Sequence, residues 1–132
     1  MNRNALLIAI LATCAMATAG AAAEVTVIDG DTIVYDGRQA EIWGTIAPSR
    51  TEICTTSTNE KWPCGERAYE QLSELARDET FRCEEKEERF LLCRAGGLDV
   101  GLLMVKEGLV RARQDYHDVE ARAREAKVGL WQ

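Results

Sequence analysis

The chain has 132 residues, 16 Lys+Arg against 22 Asp+Glu, a formal net charge of −6 and 46% hydrophobic residues. That length bounds it to one small domain. The acidic balance weighs against a nucleic-acid partner, because non-specific affinity for polyphosphate comes from Lys and Arg, although a local basic groove can persist on an acidic surface.

Residues 1–23 read as an export signal: Arg3 in a short polar start, an apolar stretch over 5–16, and a small-residue run over 17–23 ahead of Glu24. This is the order of a secretory signal with an Ala-x-Ala cleavage site. The stretch thins into Ala, Thr and Gly before it reaches the roughly 18 residues of a membrane span. Cleavage after Ala23 discards Arg3 and Cys14 and leaves 24–132 as a single mature domain with a formal charge of −7.

Four cysteines remain, Cys54, Cys64, Cys83 and Cys93. Their spacing lacks the close steps of zinc-ligand pairs. The signal sends the chain to an oxidising compartment, so disulfides are expected. Counting alone leaves three pairings open.

In chain order, 25–28 and 32–35 are β-rich runs around the turn Asp29-Gly30-Asp31, and Asp36-Gly37 signals a hairpin into a third strand over 38–43. Residues 44–65, with Pro48, Pro63 and many polar residues, predict a long loop, which Cys54 and Cys64 would tie down. From 66 to 77, Ala68, Tyr69, Leu72, Leu75 and Ala76 recur at helical spacing.

Residues 80–83 and 90–95 then read as two strands around an acidic tip over 84–88, which would set Cys83 opposite Cys93. Asp99 can cap a helix running to Glu107, with Gly108 at its end. A short apolar run over 109–112 precedes a last helix from Asp118 to Gly129. Strands first, a helix between the third and fourth, and helices at the end describe an α+β chain, mainly β, built as a five-stranded OB-type barrel.

Several spaced motifs occur together: Val27-Ile28-Asp29-Gly30-Asp31-Thr32-Ile33, Ile42-Trp43-Gly44-Thr45-Ile46-Ala47-Pro48, Trp62-Pro63-Cys64-Gly65, Gly97-Leu98-Asp99-Val100 and Gly129-Leu130-Trp131. They resemble the exported bacterial branch of the thermonuclease (staphylococcal nuclease-like) family. The resemblance implies the same barrel and Ca²⁺-assisted hydrolysis of DNA or RNA, which depends on positioning and on cations beside the developing charge.

It also marks what this sequence lacks. The family's second segment reads Arg-Leu-Trp-Gly-Ile-Asp-Ala-Pro-Glu, in which the Arg clamps the phosphate, the Asp binds Ca²⁺ and the Glu manages the attacking water. Here those places hold Glu41, Ile46 and Ser49. Asp31 falls on the first Ca²⁺-binding carboxylate and is kept, though Asp-Gly-Asp also makes a good turn by itself.

Arg38, three residues from Glu41 in a strand, should face the other side and cannot replace the clamp. Glu52 follows Ser49 in the loop as a distant substitute for the base. Arg89 is the one candidate for the family's second phosphate contact, in a hairpin tip shortened by a residue. His117, the lone histidine, reads as a surface or capping residue, and Trp43 and Trp131 as core.

The expectation is therefore a degenerate homologue. It has lost or severely reduced phosphodiesterase activity, needs no cofactor, and serves as a binding or structural module for a protein, glycan or nucleic acid. It is expected to be monomeric and free of the membrane after signal cleavage, in the periplasm or medium. The alternative is a working Ca²⁺-dependent endonuclease built on Asp31, Arg89 and rearranged partners.

Overall fold

A computed structural model describes residues 20–132. The expected signal segment 1–23 lies outside the described residues except for its last four. Three short strands, β1 (Val25–Val27), β2 (Thr32–Tyr35) and β3 (Arg38–Ile42), form an antiparallel meander. Its side chains alternate: Ile33, Ala40 and Ile42 are buried, while Val34, Gln39 and Glu41 on the other face are more exposed, the period-2 pattern of a sheet with one covered face.

After β3 the chain makes β4 (Thr45–Ile46), β5 (Cys54–Thr55) and β6 (Lys61–Trp62) before α1 (Cys64–Ala76). The predicted long loop over 44–65 is therefore partly ordered. Its strands are two residues each, too short to show a period, and β5 and β6 pair through Cys54 opposite Trp62 and Thr55 opposite Lys61. The helix starts two residues earlier than its apolar spacing indicated, because Cys64 and Gly65 form its first turn and are buried.

Strands β7 (Arg82–Glu87) and β8 (Phe90–Ala95) follow, then β9 (Leu98–Asp99), α2 (Val100–Lys106), β10 (Arg111–Ala112), α3 (His117–Ala126) and a 3₁₀ turn over Gly129–Trp131. The acidic residues expected at a hairpin tip instead continue β7, with Glu84 opposite Leu92 and Glu85 opposite Leu91. An irregularity lies between Glu85 and Glu87. The turn itself is Glu88–Arg89, with Arg89 at φ 70°. Because β7 is an edge, its charged side chains stay in water and discourage pairing with another chain.

The main sheet has the order β1-β2-β3-β8-β7, with β9 added on β8. β3 and β8 are parallel, Glu41 aligning with Phe90 and Ile42 with Leu91. β4 pairs with β10 in a separate ladder. The mainly-β, α+β class read from the sequence is present, with three α-helices among the described residues. The described ladders do not return from β7 to β1, so a closed five-stranded barrel is not shown. The core gathers Ile33, Ile42, Leu72, Val100, Met104, Val105 and Val110, all fully buried.

Gly30 fits this packing by its size. A Cβ there would sit 2.5 Å from Ala68 Cβ on α1 and 2.9 Å from Ala47 Cβ, so the β1–β2 turn lies directly on the helix. Both bridges are present, Cys54–Cys64 and Cys83–Cys93, each spanning 10 residues in sequence. Cys83 and Cys93 are direct partners in the β7–β8 ladder. Disulfides suit an oxidising environment. Among the described residues no helix is long and apolar enough to cross a membrane.

Gly30→Ala should destabilise the protein by roughly 1–3 kcal/mol, the usual cost of overpacking, measured by denaturant unfolding under oxidising conditions. An unchanged midpoint would show that the turn can move off α1. Non-reducing peptide mapping should recover the 54–64 and 83–93 pairs with no free thiol among these four.

Candidate functional site

The site expected from the sequence lies where the β1–β2 turn, β3 and β4 meet. Asp29 holds the turn: its Oδ1 accepts the backbone N–H groups of Asp31 at 3.1 Å and Thr32 at 3.0 Å, an Asx-type arrangement. Asp31 then reaches in two directions. Its main-chain carbonyl accepts from Ile42 N–H at 2.7 Å. Its carboxylate accepts from Thr32 Oγ1 at 2.9 Å and from Ala47 N–H at 2.7 Å.

Burial pushes the Asp31 carboxyl up to about 6; the Ala47 N–H opposes the rise, and Asp29 adds to it. Both Asp31 oxygens are thus engaged by protein donors, and the side chain latches the β4 segment onto the turn.

Ile46, next to Ala47, has an exposed side chain, 38% accessible, and pairs opposite Arg111. Ser49 is exposed. Its N–H donates to Glu52 Oε2 at 3.2 Å, while its carbonyl accepts from Glu52 N–H at 2.8 Å. The Glu52 carboxylate is therefore turned back onto the backbone of Ser49. Gly65 packs against the Ser49 carbonyl, where a Cβ would collide.

Ca²⁺ takes six to eight oxygen ligands. Among the described residues the one trio of close ligating side chains is Glu52, Cys54 and Cys64, whose two sulfurs are joined to each other. With Ile46 apolar, Asp31 is the one side-chain carboxylate kept of the two that the resemblance assigns to Ca²⁺, and each of its oxygens also accepts one protein hydrogen bond, which makes a poor donor set for that ion.

Glu41 lies on β3 opposite Thr32 and alongside Phe90, and its N–H donates to the Arg89 carbonyl at 2.8 Å. Its carboxylate has a partner that the sequence did not suggest. Arg113 Nη1 donates to Glu41 Oε2 at 2.7 Å across 72 residues. Both side chains are about one-third accessible, 36% for Arg113 and 29% for Glu41.

The segment after β10 is fastened to the β3–β4 corner by Arg113 N–H to Gly44 O at 2.9 Å, Gly44 N–H to Gln114 Oε1 at 3.3 Å and Trp43 Nε1–H to Asp115 Oδ2 at 2.9 Å. Arg113 directly follows β10, and no motif in the sequence marked it.

Three cations surround two aromatic rings here. Trp43 and Phe90 meet edge to face at 6.1 Å. Lys86 Nζ lies 5.7 Å from the Trp43 ring, and the guanidiniums of Arg89 and Arg113 lie 5.8 and 5.4 Å from the Phe90 ring. These distances fall within cation–π range. Arg89 thus belongs to the same surface as Glu41, whereas Arg38 pairs with Glu85 at 2.9 Å.

His117 is the exposed first residue of α3. Trp43 is buried as expected, but Trp131 is half-buried, 3.8 Å from the Arg124 guanidinium. Trp62 walls a cleft of about 480 Å³ with Arg67, Glu70, Glu74 and Glu107.

Comparison of the sequence with protein-family models and with curated proteins finds no match.

Two substitutions at Asp31 separate a latch from a ligand. Asp31→Asn keeps a carbonyl for Ala47 N–H and should stay within about 1 kcal/mol of the parent, whereas Asp31→Ala strands that donor and should cost about 1–3 kcal/mol, read by chemical denaturation without metal. Equal losses would refute the latch. A double-mutant cycle on Glu41 and Arg113 should give a coupling of about 1 kcal/mol or less that shrinks in salt, as for a partly exposed pair.

Proposed function

We propose that the protein is an exported, non-catalytic relative of the thermonucleases, with their OB-type barrel as its architecture, that acts as a binding module and holds no Ca²⁺. The ion pair between Glu41 and Arg113 carries this reading. A carboxylate stands where the resemblance requires a phosphate-clamping Arg, and the nearest guanidinium is bonded to that carboxylate. The remaining roles are also missing, since Ile46 offers no oxygen and Ser49 no base. Groups that stabilise one transition state act as a unit, so losing several together removes most of the acceleration.

The partner we infer is a protein. Glu87, Lys86's neighbour on the β7 edge, pairs with Phe90, the ring beside Arg89 and Arg113, which makes a mixed-sign surface. Such a surface gives a protein partner complementary charges, whereas a polyphosphate would meet repulsion along the acidic edge. Glycans and nucleic acids are the competing ligands.

A second reading is favoured by one observation: Arg113 brings a guanidinium to the place where Glu41 removed one. On that reading the chain is an active phosphodiesterase in which Arg113 and Arg89 contact the phosphate.

The purified protein should not cleave single-stranded DNA or RNA above background at alkaline pH with millimolar Ca²⁺. Ca²⁺ should also leave the melting temperature unchanged, because stabilisation follows the logarithm of ligand over dissociation constant. Cleavage that disappears in both Asp31→Ala and Arg113→Ala would establish the second reading. Restoring activity should need Glu41→Arg, Ile46→Asp and Ser49→Glu together with Arg113→Gln, since Glu41→Arg alone sets two guanidiniums against each other. The single changes should gain almost nothing.

A further inference from the structure

A groove runs between α2 and α3, away from the β3–β8 surface. Val100, Met104 and Val105 of α2 are buried in the core. Leu102 and Lys106 instead border an opening of about 390 Å³, which Val119, Ala126 and Val128 also line. That volume lies within the range of small-molecule sites, which are mostly apolar with a few placed polar groups. Ala126, with its short side chain, keeps the groove open, and Val128 remains 36% accessible.

The polar groups are of one kind. Lys106 enters from α2 and Arg122 from α3, and they are the only charged residues lining the groove. This is an uneven outcome in a chain with 22 acidic against 16 basic residues. Neither takes part in an ion pair among the described residues. Long cationic side chains can lay their stems on apolar surface and keep their heads in water, so two heads from opposite walls can meet one anion above an apolar floor. Arg presents a planar fork that matches a carboxylate with two parallel hydrogen bonds.

We propose that the α2–α3 groove is a binding site for a single-chain amphiphilic carboxylate, a fatty-acid-like ligand. Its alkyl chain lies on Leu102, Val119, Ala126 and Val128, and its head group is held by Lys106 and Arg122. An apolar chain excludes a free phosphate or sugar, which would leave the floor unpaired. The anionic head excludes a neutral lipid, which would leave both cations unused. The site is independent of the proposed binding surface around Glu41, and neither proposal depends on the other.

Isothermal titration of the purified protein with decanoate, below its micelle concentration, should show saturable one-to-one binding. Decanol, with the same chain and no charge, should bind at least about tenfold more weakly, because the charge-assisted hydrogen bonds are lost. Lys106→Glu with Arg122→Glu should weaken decanoate binding by about tenfold or more. Ala126→Phe, an exposed position, should abolish it by filling the groove. Circular dichroism should confirm that each variant is folded, and Lys106→Gln with Arg122→Gln replaces the charge reversal if that variant is not.

No saturable binding of decanoate would overturn the proposal. Affinity unchanged in a folded groove variant, or equal for decanol, would overturn it too. Binding to phosphatidylglycerol vesicles without affinity for free decanoate would assign the groove to a membrane surface and likewise refute a free-acid site.

Discussion

The parallel pairing of β3 with β8 joins the two halves of the chain, and the candidate surface depends on it. Glu41 N–H to Arg89 O and Trp43 N–H to Leu91 O, both 2.8 Å, tie the N-terminal meander to the second hairpin. Parallel strands need a long crossover. Here the crossover contains the β5–β6 ladder, α1 and β7. Each bridge sits where it shortens that path: Cys54–Cys64 closes the loop at the foot of α1, and Cys83–Cys93 locks the hairpin that presents β8. Closing loops of this size stabilises a fold by roughly 2–3 kcal/mol in the chain-entropy model, a large fraction of a small domain's stability.

The same pairing decides which charges meet. β3 places Glu41 beside Arg89 and Phe90, and the β4–β10 ladder carries Arg113 to it from the far end of the sequence. An Arg at 41 would face Arg113 directly, with like charges at close range in a partly shielded setting, which costs several times what it would in open water. Glu41 and Arg113 are therefore mutually consistent as a pair. On the proposed reading, the departure from the thermonuclease pattern at residue 41 has a structural partner in Arg113.

Much of the fold was legible because it rests on local chemistry. β-rich runs and the Asp36-Gly37 turn signalled the first three strands, and helical spacing indicated α1. Asp99 caps α2 as expected, accepting Leu102 N–H at 3.0 Å, and Gly108 closes the helix at φ 70°. The unexpected features depend on contacts with distant segments. Residues 84–87 read as a polar tip because they are charged, yet pairing with β8 makes them strand, since an edge strand can keep its charges in solvent. β5 and β6 are too short to carry a period. Arg113 reached Glu41 only through a ladder of two residues.

Asp31 shows why a retained site residue is weak testimony for a retained activity. In the resemblance it is a metal ligand, but here its two oxygens are bonded by Thr32 Oγ1 and Ala47 N–H, and its carbonyl holds Ile42 N–H. One residue thus fastens the turn, β3 and β4, and a segment without metal still needs that acceptor, because an unpaired backbone N–H costs more than the bond itself contributes. Ile46 and Ser49 have no comparable duty: the first is exposed, and the second uses its backbone and not its hydroxyl for the contacts with Glu52 and Gly65. On the proposed reading, positions 46 and 49 are free to change while Asp31 stays fixed by the backbone it supports.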